Sequence, residues 1–346
     1  MKRQDQALHP QQRLAGKIVR RNSAKGTAVT VAGALFWAIS STCGQYLMQK
    51  RGYPAEWLTC VRMAVTGILL TAFSLIKNRG TAAKLFKSKK DTLILLIYGI
   101  AGLMLGQFTF LKAVDASNAG TATVLQYLSP IIIIIAVCIK NMRPPKVTEA
   151  VSVVLAFTGV FMLATHADVY SLAMSKEGFL WGMMAALGMV LYSILPTRLV
   201  PKYGSIMTTG LGMLSGGIVL LFVVRPWQYR LPFDLPAAAA VFGVVIIGGA
   251  VGYTLYMQGV SDIGSVKANM IACIDPVSCT VLASVFLGNE FVWQDYLGIG
   301  LILITVFILS VPSKKLHVSF GSTPRKKTKS PSADPAENSN QGENDL

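Results

Sequence analysis

The sequence predicts an all-α integral membrane protein with about ten transmembrane helices, arranged as two inverted five-helix repeats. Composition, the spacing of apolar runs and an internal self-similarity predict this fold. Hydrophobic residues make up 53% of the 346 residues and charged residues only 14%, whereas a soluble domain carries roughly 25% charged residues. Because so few charged side chains are available to cover a water-exposed surface, we expect most of the surface to face lipid.

Apolar runs recur along the chain at close to the roughly 20 residues that a helix needs to cross a bilayer core of about 30 Å. The five spans predicted in the first half are Thr27–Gln49, Ala55–Ile76, Leu93–Val114, Asn118–Ile139 and Thr148–Thr165. The five predicted in the second half are Gly178–Val200, Ser205–Val224, Ala237–Val260, Ile263–Leu287 and Trp293–Val311.

The distribution of basic residues predicts the orientation of these helices. With the amino terminus in the cytoplasm, 24 of the 32 Lys and Arg residues lie on the cytoplasmic side, six lie outside, and Arg62 and Lys267 fall within spans. Basic loops are retained in the cytoplasm, so both termini are predicted to be cytoplasmic. Residues 1–26 lack the apolar core of a cleavable signal peptide, so the first helix is expected to direct insertion into the cell (inner) membrane.

A displacement of 146 residues aligns the chain with itself. Gly102 and Gly106 then meet Gly248 and Gly252, and Pro130 meets Pro276. Each unit has five helices, an odd number, so the second copy must enter the membrane upside down, as in transporters with inverted repeats. The expected organisation is a basic tail (1–26), a first repeat (27–165), a second repeat (178–311) and a polar, disordered cytoplasmic tail (313–346).

These features together resemble the EamA family of the drug/metabolite transporter superfamily, over roughly Thr27 to Val311. The resemblance rests on Gly33, Trp37 and Ser40, the stretch from Pro54 to Arg62, the Leu128, Ser129, Pro130 kink, Asp275 and Pro276, the Gly288, Asn289, Glu290 turn, and Gly298. It implies alternating access through a central cavity surrounded by helices one, three, four, six, eight and nine. At the repeat offset Glu290 meets Pro144, so we interpret Glu290 as structural.

Asp275 is the one acidic residue near the middle of a predicted span, directly before Pro276. A charge at the bilayer centre costs about 2.5–3.5 kcal/mol even on the most lenient scale, so such a residue points to function. A carboxylate beside a helix broken by proline can bind an ammonium group or a proton. In the alternative interpretation, it caps backbone groups that the proline disturbs, or pairs with a neighbouring Asn or Lys.

Two basic residues also fall within spans. Lys267 is close enough to the cytoplasmic interface for its ammonium group to reach it. Arg62 lies about seven residues into the second helix, where it can reach headgroups, form an ion pair with Glu56 or bind a ligand. A polar stripe along the first helix and matched polar positions in five others complete the predicted substrate site: Trp37, Ser41, Gln45, Gln107, Gln126, Tyr127, Tyr192, Tyr253, Tyr256, Asn269 and Asp275.

The expected function is secondary transport of a small metabolite, such as an amino acid, an amine or a drug-like solute. A flippase for a lipid-linked carrier and a non-transporting membrane scaffold are the alternatives. The chain has no HExxH or GxSxG motif and its histidines lie in tails or a loop, so we expect neither an enzyme nor a metal or other cofactor. Expected partners are the substrate, membrane lipids, protons as a coupling ion and a second copy in a homodimer, but no nucleic acid.

Overall fold

The computed structural model of the protein describes residues 10–77, 79–142, 144–166, 174–263, 268 and 271–310. The first-half helices are α1 (Pro10–Gln45, continued by the π-helical Tyr46–Lys50), α2 (Ala55–Lys77), α3 (Lys89–Ile97, the π-helical Tyr98–Met104, and Leu105–Ala116), α4 (Ala119–Gln126 and Ser129–Lys140) and α5 (Val147–Thr165). The second-half helices are α6 (Lys176–Ile194), α7 (Ser205–Val224), α8 (Leu235–Phe242, the π-helical Gly243–Gly252, and Tyr253–Ile263), α9 (Ile274–Leu287) and α10 (Trp293–Ser310).

Seven of these helices are long and apolar enough to cross a membrane, and α5, α9 and α10 are shorter apolar helices. Within the described residues this confirms the ten predicted helices of an all-α membrane protein. Two helices begin far from their predicted bounds: α1 begins at Pro10 rather than Thr27, within the predicted basic tail, and α9 begins at Ile274 rather than Ile263. Residues 264–267 and 269–270, with Lys267 and Asn269 among them, lie outside the described residues, as do residues 1–9 of the predicted basic tail and the predicted tail 313–346.

Large apolar side chains cover the outside of the bundle. The most exposed of them include Ile76, Phe157, Leu180, Phe222, Val285 and Phe286. Polar side chains such as Thr66, Gln45, Thr208 and Thr305 are instead buried between helices. This is the reverse of a soluble protein, and it is the distribution that lipid requires because hydrocarbon offers polar groups no partners.

Contacts at the helix ends fix the direction of each helix. Gln45, near the carboxyl end of α1, bonds the Ala119 amide at the start of α4, and Ser175 before α6 bonds the Ala116 carbonyl at the end of α3. We call this side of the bundle the Gln45 end. At the opposite side, the Asp91 end, Asp91 at the start of α3 bonds Lys202 just before α7. Because α1 finishes at the Gln45 end whereas α6 begins there, the two halves are inverted.

The packing of helices repeats the same symmetry. The α2 helix packs on α7, α5 on α10, α4 on α9, α3 on α6 and α8 on α1. Exchanging each helix for its counterpart five places along the chain converts this set of pairs into itself. The two halves therefore interlock through equivalent surfaces.

Close approaches of glycine backbones bring these pairs together. A Cβ atom added at Gly67 of α2 would lie 2.5 Å from the Leu214 nitrogen of α7, and one at Gly217 would lie 2.7 Å from the Ala64 nitrogen. The glycines that the repeat offset matches also lie at close contacts between helices. Gly106 lies against Gly188 of α6, and Gly248 lies against Ser40 of α1. These glycines allow close helix approach, as small residues do in membrane helices.

A repeated carboxylate also relates the halves. Glu149 accepts a hydrogen bond from the Lys146 amide (2.8 Å), and Asp295 accepts one from the Val292 amide (3.0 Å). Both residue pairs are displaced by 146 positions. The acid that recurs between the two halves is therefore this helix-capping carboxylate rather than Glu290.

Candidate functional site

A cavity of about 680 Å³ lies between the two halves. Its wall includes residues from α1, α3, α4, α6, α8 and α9, the helices that the resemblance implied, and from α2 as well. The lining residues are Trp37, Ser41, Arg62, Gly102, Leu103, Gly106, Gln107, Phe110, Gln126, Tyr127, Gly188, Met189, Tyr192, Tyr253 and Asp275.

Interrupted helices form part of this wall. The α4 helix breaks at Tyr127 and Leu128, directly before Ser129 and Pro130. At the equivalent place in the second half, Cys273 interrupts the helix before Asp275 and Pro276. In each case the proline occupies the first turn of a new helical segment, where its missing N–H leaves no intrahelical bond unmade. The breaks bring Tyr127 and Asp275 to the cavity.

Most of the predicted substrate-site residues meet here. The structure brings together Trp37, Ser41, Gln107, Gln126, Tyr127, Tyr192, Tyr253 and Asp275. Asn269 lies outside the described residues. Tyr256 is not among the lining residues; it is buried, and its ring centre lies 4.7 Å from that of Trp37.

Gln45 does not line the cavity. Its Oε1 accepts from the Ala119 amide (2.9 Å) and its Nε2 donates to the Asn289 side chain (3.1 Å). One turn on, Gln49 donates to the carbonyl groups of Val114, Asp115 and Ser117 at the end of α3. The two glutamines therefore connect α1 with α3, α4 and the turn after α9 at the Gln45 end.

One hydrogen bond marks the axis that relates the halves. Gln107 Nε2 donates to the Tyr253 hydroxyl at 2.8 Å, and these residues are 146 positions apart, the offset of the repeat. Two equivalent positions can touch each other only near the axis of symmetry. The cavity, which both residues line, is therefore centred on the interface between the repeats.

Arg62 is the lining residue whose role sequence reasoning left most open. Its side chain is only 6% exposed and lines the cavity, so it does not reach the headgroups. Glu56, the predicted ion-pair partner, instead pairs with Lys112 at 2.5 Å. Among the described residues the Arg62 Nε has no hydrogen-bond partner. Its place within the second span was the sequence signal for this role.

Asp275 is 7% exposed, and the hydrogen bond it accepts comes from the Cys279 thiol at 3.5 Å. A thiol is a weak donor, and within the described part of the chain no backbone amide donates to this carboxylate. Asp275 and Arg62 interact electrostatically but form no ion pair within 4.0 Å in the described residues. The cavity therefore carries two separated opposite charges.

Aromatic rings supply much of the remaining wall. Trp37 contacts Tyr253 edge to face, with ring centres 5.1 Å apart, and its buried Nε1 has no hydrogen-bond partner among the described residues. Tyr127 donates from its hydroxyl to the Ala272 carbonyl at 2.8 Å, which joins α4 to the residues before α9. The rings give apolar contact area, and the free indole N–H gives one donor.

A second cavity, of about 610 Å³, lies at the Gln45 end. Glu290 lines it together with His166 and Asp295, whose side chains are 2.9 Å apart. Asp295 also caps α10, so this group of residues belongs to the helix ends and is separate from the central cavity.

Comparisons with known proteins agree with this architecture. The model of the EamA-like transporter family matches residues 24–165 and 176–311, one match in each half. One crystal structure superposes with a TM-score of 0.54 at 17% identity, over 82% of this chain and 96% of the other, which shows a shared fold.

Curated relatives carry transporter names. The chain is 32% identical to the uncharacterized inner membrane transporter YicL of Salmonella typhimurium, over 84% of this chain and 97% of that protein. It is 21% identical to the uncharacterized transporter YetK of Bacillus subtilis, over 90% and 94%. It is also 20% identical to a WAT1-related chloroplastic protein of Arabidopsis thaliana, over 82% and 69%. The chain is a multi-pass membrane protein, and it belongs to the EamA-like transporter family.

Proposed function

We propose that this protein is a secondary transporter, which moves a small metabolite (an amino acid, amine or drug-like solute) across the cytoplasmic membrane by alternating access. The observation that carries the proposal is the cavity on the axis between the inverted repeats, lined from both halves. In inverted-repeat transporters, the substrate site lies at the repeat interface near the bilayer midplane, next to broken helices.

The symmetry of the helix pairs supports a mechanism. Because each half packs on the other through equivalent surfaces, rocking one half against the other exchanges the conformations of the two ends. The Gln45–Asn289–Ala119 bonds hold the Gln45 end together in this conformation. We assign that end to the outside, because the opposite end carries most of the basic loop residues.

Asp275 supports a role in binding or coupling. Its carboxylate is buried, faces the cavity and accepts only a thiol hydrogen bond among the described residues. An intramembrane acid of this kind is a site for an ammonium group or for a proton that drives transport. Transport of an amine or amino acid can thus be coupled to protonation of Asp275.

The test combines binding with flux. Purified protein is screened for thermal stabilisation by amino acids, polyamines, quaternary amines, nucleosides and sugars, because a ligand that binds the native state raises the melting temperature. A stabilising compound is then measured in counterflow, as uptake of labelled compound into proteoliposomes preloaded with unlabelled compound.

We expect counterflow with wild-type protein and a large loss with Asp275→Asn. Asp115→Asn is the matched control, because Asp115 is exposed and outside the cavity. Binding without any counterflow of the bound compound would contradict the transport proposal.

A further inference from the structure

We infer that the connection between α2 and α3 carries a binding surface for the headgroups of anionic phospholipids. The surface consists of Lys84, Lys87, Lys89 and Lys90 together with Phe86, and we call these five residues the basic edge. They are not among the residues that line either cavity. The inference therefore goes beyond the proposed function and does not depend on it.

The basic edge lies at the boundary of the apolar belt. A short helix, Arg79–Lys87, joins α2 to α3, and we call it the linking helix. The candidate membrane span in α2 ends at Ile76, and the span in α3 begins at Lys89. Outward-facing apolar side chains reach both limits, because Ile76 is 79% exposed and Leu93, one turn after Lys89, is 59% exposed. The linking helix thus lies where hydrocarbon gives way to headgroups.

The linking helix is fixed to the bundle by one face. Leu85 is fully buried, in the same apolar cluster as Leu95 and Leu199. The linking helix also contacts the segment Val200–Tyr203 just before α7. At its carboxyl end, the Thr92 hydroxyl of α3 donates to the Leu85 carbonyl at 3.3 Å. These contacts hold the Leu85 face inward, so the neighbouring side chains are presented outward.

The lysines of the basic edge are exposed and not neutralised. Lys84, Lys87, Lys89 and Lys90 are all exposed, and none of them forms an ion pair within 4.0 Å with a described residue. Residues 77–90 contain no Asp or Glu. Four positive charges are therefore available to a partner on one short stretch of chain.

Asp91, the next acidic residue along the chain, does not cancel these charges. Its carboxylate is only 6% exposed and accepts hydrogen bonds from Lys202 Nζ (2.9 Å) and the Tyr203 hydroxyl (2.8 Å). The Lys202 side chain is itself 56% exposed. The pair adds no net negative charge to this face, which remains suited to an anionic surface.

Phe86 favours a lipid surface over other anionic partners. Its ring is 55% exposed, between Lys84 and Lys87 in the chain. At a membrane interface, aromatic rings lie at the level of the headgroups, and lysine side chains extend to the phosphates. Nucleic acid, an acidic protein or free phosphate would bind the lysines but give the Phe86 ring no apolar contact. An anionic phospholipid offers both a phosphate and an acyl chain.

The experiment compares lipids that share acyl chains and differ in charge. Full-length protein in a neutral detergent is titrated with dioleoylphosphatidylglycerol, dioleoylphosphatidylcholine, or glycerol phosphate as a headgroup without chains. Bound lipid is counted by native mass spectrometry, and the melting temperature is followed at low and high salt. We expect the anionic lipid to bind and stabilise more strongly than the other two compounds. High salt should weaken this preference, because it screens exposed charges.

Variants test the assigned residues. Replacing the four lysines together with glutamine should weaken binding of dioleoylphosphatidylglycerol by roughly tenfold or more, since each lysine near an anionic surface contributes separately. Replacing the four with arginine should preserve binding, and Phe86→Ser should weaken binding of the lipid. Single Lys→Gln variants, each with a smaller loss, carry the test if the fourfold glutamine variant does not fold.

The matched control removes the same number of exposed charges at the Gln45 end. The four residues changed to glutamine there are Lys50, Lys176, Arg225 and Arg230. This control has the same net charge as the fourfold lysine variant, and it should keep the preference for the anionic lipid.

Four results would overturn the inference. The two lipids could bind equally well, or the fourfold glutamine variant could bind the anionic lipid like wild type. An equal loss in the control would mean that net charge alone attracts the lipid. Equal binding of glycerol phosphate and of the whole lipid would identify a site for free phosphate instead of a membrane surface.

Discussion

At the scale of single residues, Arg62 is the clearest exception to the rule that a buried charge is paired. Its position in the second span was evident from the sequence, but whether the side chain turned to headgroups, to Glu56 or to a cavity was not. The direction of the Arg62 side chain depends on α7, α8 and α9, which lie far along the chain. It also depends on Lys112, which forms the ion pair with Glu56. A long, flexible side chain leaves no periodic signal of its direction, so the sequence alone could not decide.

Replacing Arg62 with methionine should stabilise the ligand-free protein. The change removes a buried charge that has no ion-pair partner among the described residues and keeps a side chain of similar length. We expect the melting temperature of Arg62→Met to rise by a few degrees. In the control, Arg51→Met, the melting temperature should fall slightly, because Arg51 is paired with Asp234. A clear loss of stability in Arg62→Met would show that the arginine has a structural role.

The Asp234 carboxyl group, outside the spans, should give a pH-dependent contribution to stability. The Ala237 amide donates to it (3.1 Å), and this bond together with Arg51 holds its pKa below the usual 3.8. A lowered pKa stabilises the folded state above the ordinary value, and the contribution is lost as pH falls through the folded value.

Asp234→Asn should therefore lower the melting temperature at pH 7, and the difference from wild type should shrink below about pH 4. Melting curves at both pH values test this. A difference that grows on acidification would contradict the assignment.

At the scale of elements, apolar length and proline position predicted most of the helices. The bounds of α7 agree with the predicted span, and the breaks at Pro130 and Pro276 lie at the predicted, matched places. The π-helical turns at Tyr98–Met104 and Gly243–Gly252 also occupy equivalent positions, but the sequence did not predict them. The first of these segments packs against α7 and α6 and the second against α1 and α2, contacts that the local residues do not reveal.

Replacing a contacting glycine with alanine should destabilise the protein whether the glycine lies in α2 or in α7. Gly67→Ala and Gly217→Ala each place a methyl group within 2.5–2.7 Å of backbone nitrogen on the partner helix. Overpacking of this kind costs about 1–3 kcal/mol, so both variants should melt at lower temperature. Gly300→Ala is the control, since a Cβ there meets nothing within 4 Å. If Gly300→Ala were as destabilising as the other two, the close approach would not be the cause.

At the scale of the whole molecule, the inverted repeat could be predicted from the sequence because glycines and prolines match at a constant offset. The packing of α3 on α6 and of α8 on α1 could not be predicted, because an offset aligns equivalent positions but does not indicate which helices are in contact. Eight of the eleven predicted substrate-site residues line one cavity, since polar residues inside spans have few alternatives to facing water or a ligand. Gln45 is the instructive exception, because its polarity serves the helix ends instead.

Alternating access is the central claim, and it is tested most directly by the reactivity of one cavity position from both sides of the membrane. In a variant lacking Cys43, Cys60, Cys138, Cys273 and Cys279, Met189→Cys introduces a thiol into the cavity wall. A membrane-impermeant maleimide is applied to each side of oriented vesicles, with the cysteine-free parent as control. We predict labelling from both sides, and faster labelling from the Gln45 side when Gln45→Ala removes the bonds that hold that end. Labelling confined to one side under all conditions, with and without Gln45→Ala, would contradict alternating access.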